Sequence, residues 1–417
     1  MKKIVVLGNS AASIKALEKI RLQDNESELT IIPWEAHQPY NSELLPKYLA
    51  SSVSQDDISC RPQEFYQTNR INVVLDKKIV RVNFNKKKLF TEDKEQIDYD
   101  LLVIASAPCG KLPDIKGANK DGVYDFKNLD KINEILSLIS ITETIVVRAD
   151  NFSGLQAAMA FAENRKEVIL VSSDRSAVSS IINSEEGDWL LNNLKGLGIR
   201  FIGQESISEI LGDSYIKAVR LGRGKVIATQ ILVFCDAKED LRMFAGLDIG
   251  DTGKIKVNEQ FQTNLEDVFA IGNTCECSDG TTFDSDFLTL SESEYKGDIL
   301  ASKIMGQDQK FESKIQPLFA KTEDFSIISL CDVEKDDSIL EVQKLDEDSG
   351  VLRKVFVKDE TIVGAVLINC DHEKDRFLKL IEERKSVSSL EDFVGDGAVD
   401  LSFAAEDTEN KEISESV

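Results

Sequence analysis

The sequence predicts an α/β fold built on parallel sheets, and three observations carry that prediction. An apolar run, Lys3 to Leu7, ends in the small-residue turn Gly8-Asn9-Ser10-Ala11-Ala12-Ser13 and is followed by a helical pattern and a second apolar run. The order strand, helix, strand recurs from Thr144 to Val171. Between the two copies, Leu101 to Ala105 is apolar throughout, as a central strand covered on both faces must be.

The opening unit has the order of a dinucleotide-binding βαβ unit. Ile14, Leu17 and Ile20 share one helix face, Leu29 to Ile32 forms the second strand, and Glu35 lies just beyond it. A pyrophosphate sits on a helix N-terminus only where the backbone can approach it. Gly8, Ser10, Ala11 and Ala12 are small enough to permit this. An acid after the second strand accepts hydrogen bonds from a ribose. The glycine fingerprint reads G-x-S-x-x-S here, so an ordinary turn of small residues is the alternative at this point.

With 417 residues the chain has room for about three domains. Its net charge of −24 fits solubility and argues against nucleic acid and anionic membrane as partners. No apolar stretch is long enough to span a bilayer. A chain that enters a strand at once shows no secretory leader. Cys60, Cys109, Cys235, Cys275, Cys277, Cys331 and Cys370 follow no framework spacing. The expected location is therefore a reducing cytoplasm.

Further along come Ala36-His37-Gln38-Pro39-Tyr40 and the stretch Asn41 to Leu49. Strands are expected near Ile71 to Leu75, Ile79 to Phe84 and Lys88 to Thr91, then at the apolar run that starts at Leu101. Four pieces with their order and spacing are informative: Gly8 to Ala12, His37 to Tyr40, Leu44 to Leu49 and Tyr99 to Ala105. A fifth, T-x-x-x-x-V-F-A-I-G-N, runs from Thr263 to Asn273. Together, over roughly residues 1 to 305, they resemble the FAD-dependent pyridine nucleotide oxidoreductases. The branch they are most similar to holds rubredoxin reductases, ferredoxin reductases and the flavoprotein portion of assimilatory nitrite reductases.

The resemblance implies two interleaved Rossmann-like dinucleotide-binding domains, glutathione reductase-like, plus a small α/β C-terminal domain. On this reading residues 1–115 and 232–308 bind FAD, and 116–231 form a degenerate NAD(P)-binding-like domain. Residues 309–392 form a dimerisation or docking domain, and 393–417 are an acidic disordered tail. In the third segment, strands are expected at Ile339 to Leu345, Val351 to Val357 and Ile362 to Ile368, with a tight turn at Lys358-Asp359-Glu360. A helix follows over Glu373 to Glu383 with Phe377, Leu378 and Ile381 on one side.

For the flavin, the resemblance places Gly8, Ser10, Ala11 and Ala12 at the pyrophosphate and Glu35 at a ribose, with a one-residue uncertainty of register. It places the Ile79 backbone at adenine and Ala105 in the turn after the apolar strand. Gly272 matches a Gly-Asp pair whose acid bonds the ribityl chain, and Asn273 stands where that acid is expected. Lys47 is the catalytic candidate, a cation near the reactive edge of the flavin, against the reading that it is a surface lysine. Ser42-Glu43 and Ala105-Ser106-Ala107 depart from the family's Arg-Pro and Ala-Thr-Gly elements.

The second unit departs further. Its fingerprint reads Ala149-Asp150-Asn151-Phe152-Ser153-Gly154, which keeps only the glycine used for helix–strand packing. Asp150 adds a negative charge where phosphates would lie. Ser172 replaces an acid, and Cys235-Asp236-Ala237 replaces an Ala-x-Gly element. NAD(P)H binding is thus expected to be weak or absent; the opposing reading is an altered site in which Arg148 or Arg175 holds phosphate. Cys275 and Cys277 are read as small semi-buried residues, with a redox or metal role as the alternative. No metal site is expected. His37 is read as structural, and Lys86-Lys87-Lys88 as a solvated hairpin tip or a guide for an acidic carrier.

Two functions follow. The first is an FAD-dependent oxidoreductase or electron-transfer subunit between a donor, NAD(P)H or a protein, and an iron–sulfur type acceptor. The second is a flavin-binding or empty scaffold subunit of a larger redox complex. Either implies redox-protein partners and a homodimer or hetero-complex.

Overall fold

The computed structural model of the chain describes residues 1–108, 112–173, 187–235, 239–277, 290–311, 317–330 and 339–386. The expectations for Cys109, Arg175, Asp236, Ala237, Cys331 and the acidic tail lie outside them. The chain divides into two compact units, residues 1–323 and 324–417.

In the first unit the chain runs β1 (Lys3–Leu7), α1 (Ala11–Gln23), β2 (Glu28–Ile32), α2 (Leu45–Leu49), α3 (Gln63–Thr68) and β3 (Ile71–Val73). A small antiparallel sheet of β4 (Ile79–Asn83), β5 (Lys88–Thr91) and β6 (Gln96–Asp98) leads into β7 (Leu101–Ile104). Next come β8 (Val123–Asp125), α4 (Leu129–Ile139), β9 (Thr144–Arg148), α5 (Phe152–Glu163), β10 (Glu167–Val171), α6 (Gly187–Gly196) and β11 (Ile199–Ile202). A second antiparallel trio, β12 (Ile207–Gly212), β13 (Ile216–Leu221) and β14 (Val226–Ala228), precedes β15 (Ile231–Phe234). The unit continues through β16 (Ile255–Val257), β17 (Val268–Ala270), β18 (Cys275–Cys277), α7 (Leu290–Ile304) and β19 (Leu318–Lys321).

Two parallel sheets organise these elements, ordered β3-β2-β1-β7-β17 and β11-β10-β9-β15-β8. The strands of the second sheet fall in sequence between β7 and β17, so one Rossmann-like core is inserted in the other. Ile4 to Leu7 and all four residues of β7 are buried, which explains why these runs lack polar alternation. In each sheet the chain order reverses beside the first strand of the βαβ unit, at β1 and at β9. Crevices for ligands open at the carboxyl ends of strands at such points. Helix α7 lies close on α1, because a Cβ at Gly297 would stand 2.3 Å from the Ala12 carbonyl oxygen.

The second unit holds an antiparallel sheet of β20 (Ser326–Ser329), β21 (Leu340–Asp346), β22 (Val351–Lys358) and β23 (Thr361–Ile368), in the order β20-β23-β22-β21. Its helix α8 (Lys374–Glu382) buries Phe377 and Ile381 and half-buries Leu378. The last hairpin turns on two residues, since Lys358 pairs with Thr361. Asp359 and Glu360 have φ of +49° and +58°, the mirror-image turn whose twist matches the strands and which favours Asn-Gly. Left-handed backbone costs a non-glycine residue about 1–2 kcal/mol, and glycine returns about 0.5–1 kcal/mol as unfolded-state entropy. The double change Asp359→Asn, Glu360→Gly is therefore expected to stabilise this unit by about 1 kcal/mol, measurable as a higher denaturant midpoint at unchanged slope.

Candidate functional site: a cleft at the first sheet reversal

At the end of β1, Gly8 donates its amide to the Ile32 carbonyl at 2.9 Å and adopts φ of +80°. A Cβ at this position would lie 2.0 Å from Ser106 Oγ, 2.9 Å from the Ser106 amide nitrogen and 2.8 Å from Trp34 Nε1. Ser10 caps α1, and the two serines of the altered fingerprint bond reciprocally: Ser13 N donates to Ser10 Oγ and Ser10 N to Ser13 Oγ, both at 3.2 Å. This is a capping box made with Ser in place of the usual Glu or Gln. The departures from glycine thus define the helix start. They leave the amides of Ala11 and Ala12, in the first turn, as the donors that an anion can take.

Beyond β2, Trp34 and Glu35 both line the cleft. Trp34 Nε1 donates to the Ser106 carbonyl at 2.9 Å. Glu35 accepts from Tyr40 Oη at 2.5 Å and from the Asp130 amide at 3.2 Å. Burial raises its carboxyl, and these two donors oppose the rise. His37 Nε2 lies 2.7 Å from Asp130 Oδ1. Glu35, His37 and Asp130 bring ligand-type atoms within 4.8 Å of one another. They are engaged as a clasp between the loop after β2 and the N-terminus of α4, which supports the structural reading of His37. Sequence reasoning did not find Trp34; the one-residue uncertainty at the end of β2 was its only signal.

The rest of the wall comes from Ala105 to Pro108 after β7, Asn41 to Glu43 and Leu45-Pro46 around the start of α2, and Gly272-Asn273 after β17. Gly272 has φ of +88°, and a Cβ on it would meet the Ala105 carbonyl at 2.9 Å. Of the sequence candidates, Ser10, Ala11, Glu35, Ala105, Gly272 and Asn273 line one cleft, with Gly8 beneath it. Ala12 is buried in α1, and Ile79 is buried at the start of β4. Lys47 is exposed on α2 and does not line the cleft. Phe126, Lys127, Ser153, Cys235 and Glu239 complete the lining.

At the end of β9 the second turn is built differently. Ala149 is fully buried, and a Cβ at Gly154 would stand 2.0 Å from the Ala149 Cβ. The surviving glycine is thus required by helix–strand packing. Asn151 caps α5, its Oδ1 accepting from the Gly154 amide at 3.4 Å. The Asp150 carboxylate accepts from Arg148 Nη2 at 2.7 Å, Ser173 N at 2.7 Å and Ser172 Oγ at 3.2 Å. Burial alone would raise Asp150, but the Ser173 amide and the Arg148 guanidinium outweigh it and hold the carboxyl below its ordinary range. Strand alternation alone does not direct Arg148 away from the turn, because its long side chain reaches back to Asp150. The chain thus places its own anion in the turn between β9 and α5.

Cys275 and Cys277 are buried on β18, and burial pushes the Cys275 thiol up to about 12. A thiol so placed is a poor nucleophile and metal ligand at neutral pH, which favours the reading as small buried residues. At the lysine run, Lys87 pairs with Asp267, and Lys88 with Asp98 at 3.2 Å. Two of its three charges are thereby matched. Among the described residues no helix is long and apolar enough to cross a membrane.

Comparison with known proteins agrees with this geometry. Residues 2–289 match the family described as pyridine nucleotide-disulphide oxidoreductase, and residues 321–385 match the rubredoxin NAD+ reductase C-terminal domain. The nitrite reductase [NAD(P)H] of Bacillus subtilis is 24% identical over 390 residues, 93% of this chain and 48% of that protein. The assimilatory nitrate reductase electron transfer subunit of the same organism is 21% identical over 390 residues, 93% of this chain and 50% of its own length. The chain thus spans about half the length of these curated relatives. The structure of a NAD-dependent persulfide reductase from A. fulgidus superposes with a TM-score of 0.80 at 21% identity, covering 93% of this chain and 78% of that one.

Proposed function

Because the chain belongs to the pyridine nucleotide-disulphide oxidoreductase family, whose members are FAD-dependent oxidoreductases, we propose that it carries electrons from a reduced donor to an iron–sulfur type acceptor on a protein partner. Its cofactor is FAD. When bound, FAD takes up a hydride or an electron pair and gives electrons up singly; the protein supplies position and electrostatics.

The residues present fit that group. Gly8 and Gly272 both hold positive φ at places where a Cβ would collide with the turn after β7, so that turn closes tightly on the cleft beside the start of α1. The first-turn amides of α1 then face the phosphates, Glu35 a ribose, and Gly272-Asn273 the ribityl chain. Ala105 and Ser106 form the floor. We assign residues 1–115 with 232–308 to the flavin domain, 116–231 to the inserted domain and 309–392 to docking or dimerisation. The single observation that carries the reading is the one cleft at the first sheet reversal, where the start of α1 (Ser10 and Ala11), Glu35 and Gly272-Asn273 converge. The relative named as an electron transfer subunit supports a partner-bound role. The cleft's intact construction favours an electron-carrying protein over an empty scaffold.

The donor follows from the second turn. Asp150 holds Arg148 and the Ser173 amide, so NAD(P)H is expected to bind weakly and a protein donor is favoured. The test is spectroscopic. Purified protein is expected to show an oxidised flavin spectrum that persists under anaerobic NADH or NADPH and bleaches with a reduced iron–sulfur protein. Rapid bleaching by NADH would assign the donor to the nucleotide instead. A colourless protein that takes up no added FAD would overturn the function.

A further inference from the structure

Behind the cleft wall lies a set of ionisable groups that the function proposed above does not use. Glu43 lines the cleft beside α2, with Ser293 of α7 next to it, Ser293 Oγ lying 3.5 Å from Glu43 Oε1. One residue before Ser293, Glu292 pairs with Lys296 at 2.6 Å; their side chains are 7% and 0% exposed. The Lys296 ammonium also stands 5.3 Å from the Phe311 ring centre. A fully buried lysine and two carboxyl groups therefore share one region of α7 and the cleft wall.

Charge decides how protons divide among them. Glu43 faces Glu292, Ser293 and Lys296 from α7, Asn41 from its own loop and Cys60 from the segment before α3. Lys296 faces Glu292, Cys275 of β18 and Lys254. Lys296 acts on both carboxyls and is bonded to Glu292. Burial, and next the like charge on Glu292, push the Glu43 carboxyl up to about 8. Burial likewise raises Glu292 and lowers Lys296, each opposed by the other.

We propose that Glu43 is the proton-holding residue of the cleft: its carboxyl stays protonated at neutral pH and hands its proton to negative charge that electron delivery places there. This deepens the function proposed above and rests on it. Electrons that arrive as hydride bring a proton with each pair, whereas electrons that arrive singly from a protein bring none. A site fed singly must therefore find one proton per pair. In the transfer the Oε–H bond of Glu43 breaks and the proton moves to the reduced ligand. The bond re-forms when the charge leaves, and no protein group changes oxidation state. The buried Glu292–Lys296 pair sets the field that Glu43 feels.

The test begins without flavin. Nuclear magnetic resonance of protein labelled with 13C at the glutamate carboxyls, freed of flavin, is expected to show one carboxyl titrating near 8, absent from Glu43→Gln. Glu292→Gln removes the like charge and is expected to lower that midpoint. In the flavin-loaded protein, the midpoint potential plotted against pH is expected to change slope near the same pH, and Glu43→Gln to abolish the change. The proposal is overturned if no carboxyl titrates above the ordinary glutamate range, or if the high-titrating carboxyl survives in Glu43→Gln. It is also overturned if the two potential–pH curves superimpose. Protein that takes up no FAD overturns the function proposed above and the coupling with it, whereas the flavin-free titration still reports Glu43 by itself.

Discussion

Replacing Gly8 by alanine is expected to yield a folded protein that purifies with less than about a tenth of the wild-type flavin. Two effects act together. At φ of +80° any L-residue stands in a region that costs about 1–2 kcal/mol. The new methyl also has no room. Ser106 Oγ at 2.0 Å can rotate away, but the Ser106 amide nitrogen at 2.9 Å is backbone and Trp34 Nε1 at 2.8 Å is held by its bond to the Ser106 carbonyl. Relief requires the turn to move away from the start of α1, the place where the phosphates are expected. A loss of about 1.4 kcal/mol in binding is tenfold in affinity, so a shift of a few tenths of an ångström across several hydrogen bonds is sufficient. Flavin per protein is read from the visible spectrum after gel filtration, with circular dichroism to report the fold. Full flavin content in a folded Gly8→Ala protein would remove the turn from the binding site.

The same turn shows what was legible in the sequence. The βαβ order and the apolar β7 follow from burial on both faces, which writes itself as unbroken apolar runs, whereas the insertion of the second unit in the first was implied by the family resemblance. Helix ends were less legible. Ser10 and Ser13 read as losses from a glycine fingerprint, and only coordinates reveal that they bond each other as a cap. Trp34 was invisible because its role depends on which face of the chain the end of β2 presents, and one residue reverses that. Lys47 was placed by resemblance alone, and what the structure adds is that α2 presents it to solvent outside the cleft lining. Glu43 stood out only as a departure. Its significance comes from Glu292 and Lys296, which are remote in sequence and meet it through the packing of α7.

Asp150 carries the second large prediction. Changing Ala149 and Asn151 to glycine together with Asp150→Asn is expected to tighten NADH binding by about 10- to 100-fold. The carboxylate now takes a guanidinium and a backbone amide, the two donors best suited to a nucleotide's phosphate or ribose. Hydrogen bonds involving a charged group contribute about 1.5–3 kcal/mol each, so freeing one for the ligand accounts for a gain of that size. Glycine at 149 leaves the contact with Gly154 unstrained, and glycine at 151 removes the cap side chain from the path of the ligand. The loss of that cap costs only a few tenths of a kcal/mol. The pH dependence provides a control. A carboxyl held below its unfolded value of about 3.9 stabilises the fold fully above that pH. The contribution disappears as pH falls through the lower folded value. The single Asp150→Asn protein should therefore lose part of the wild-type acid sensitivity below about pH 4. Binding is measured by fluorescence quenching or calorimetry with NADH. A triple variant that loses the acid sensitivity yet gains no affinity would show that the internal anion is not what closes the site. The closure would then be assigned to the lining contributed by Phe126, Lys127 and Cys235, where Asn151 already reaches the Cys235 carbonyl at 3.4 Å.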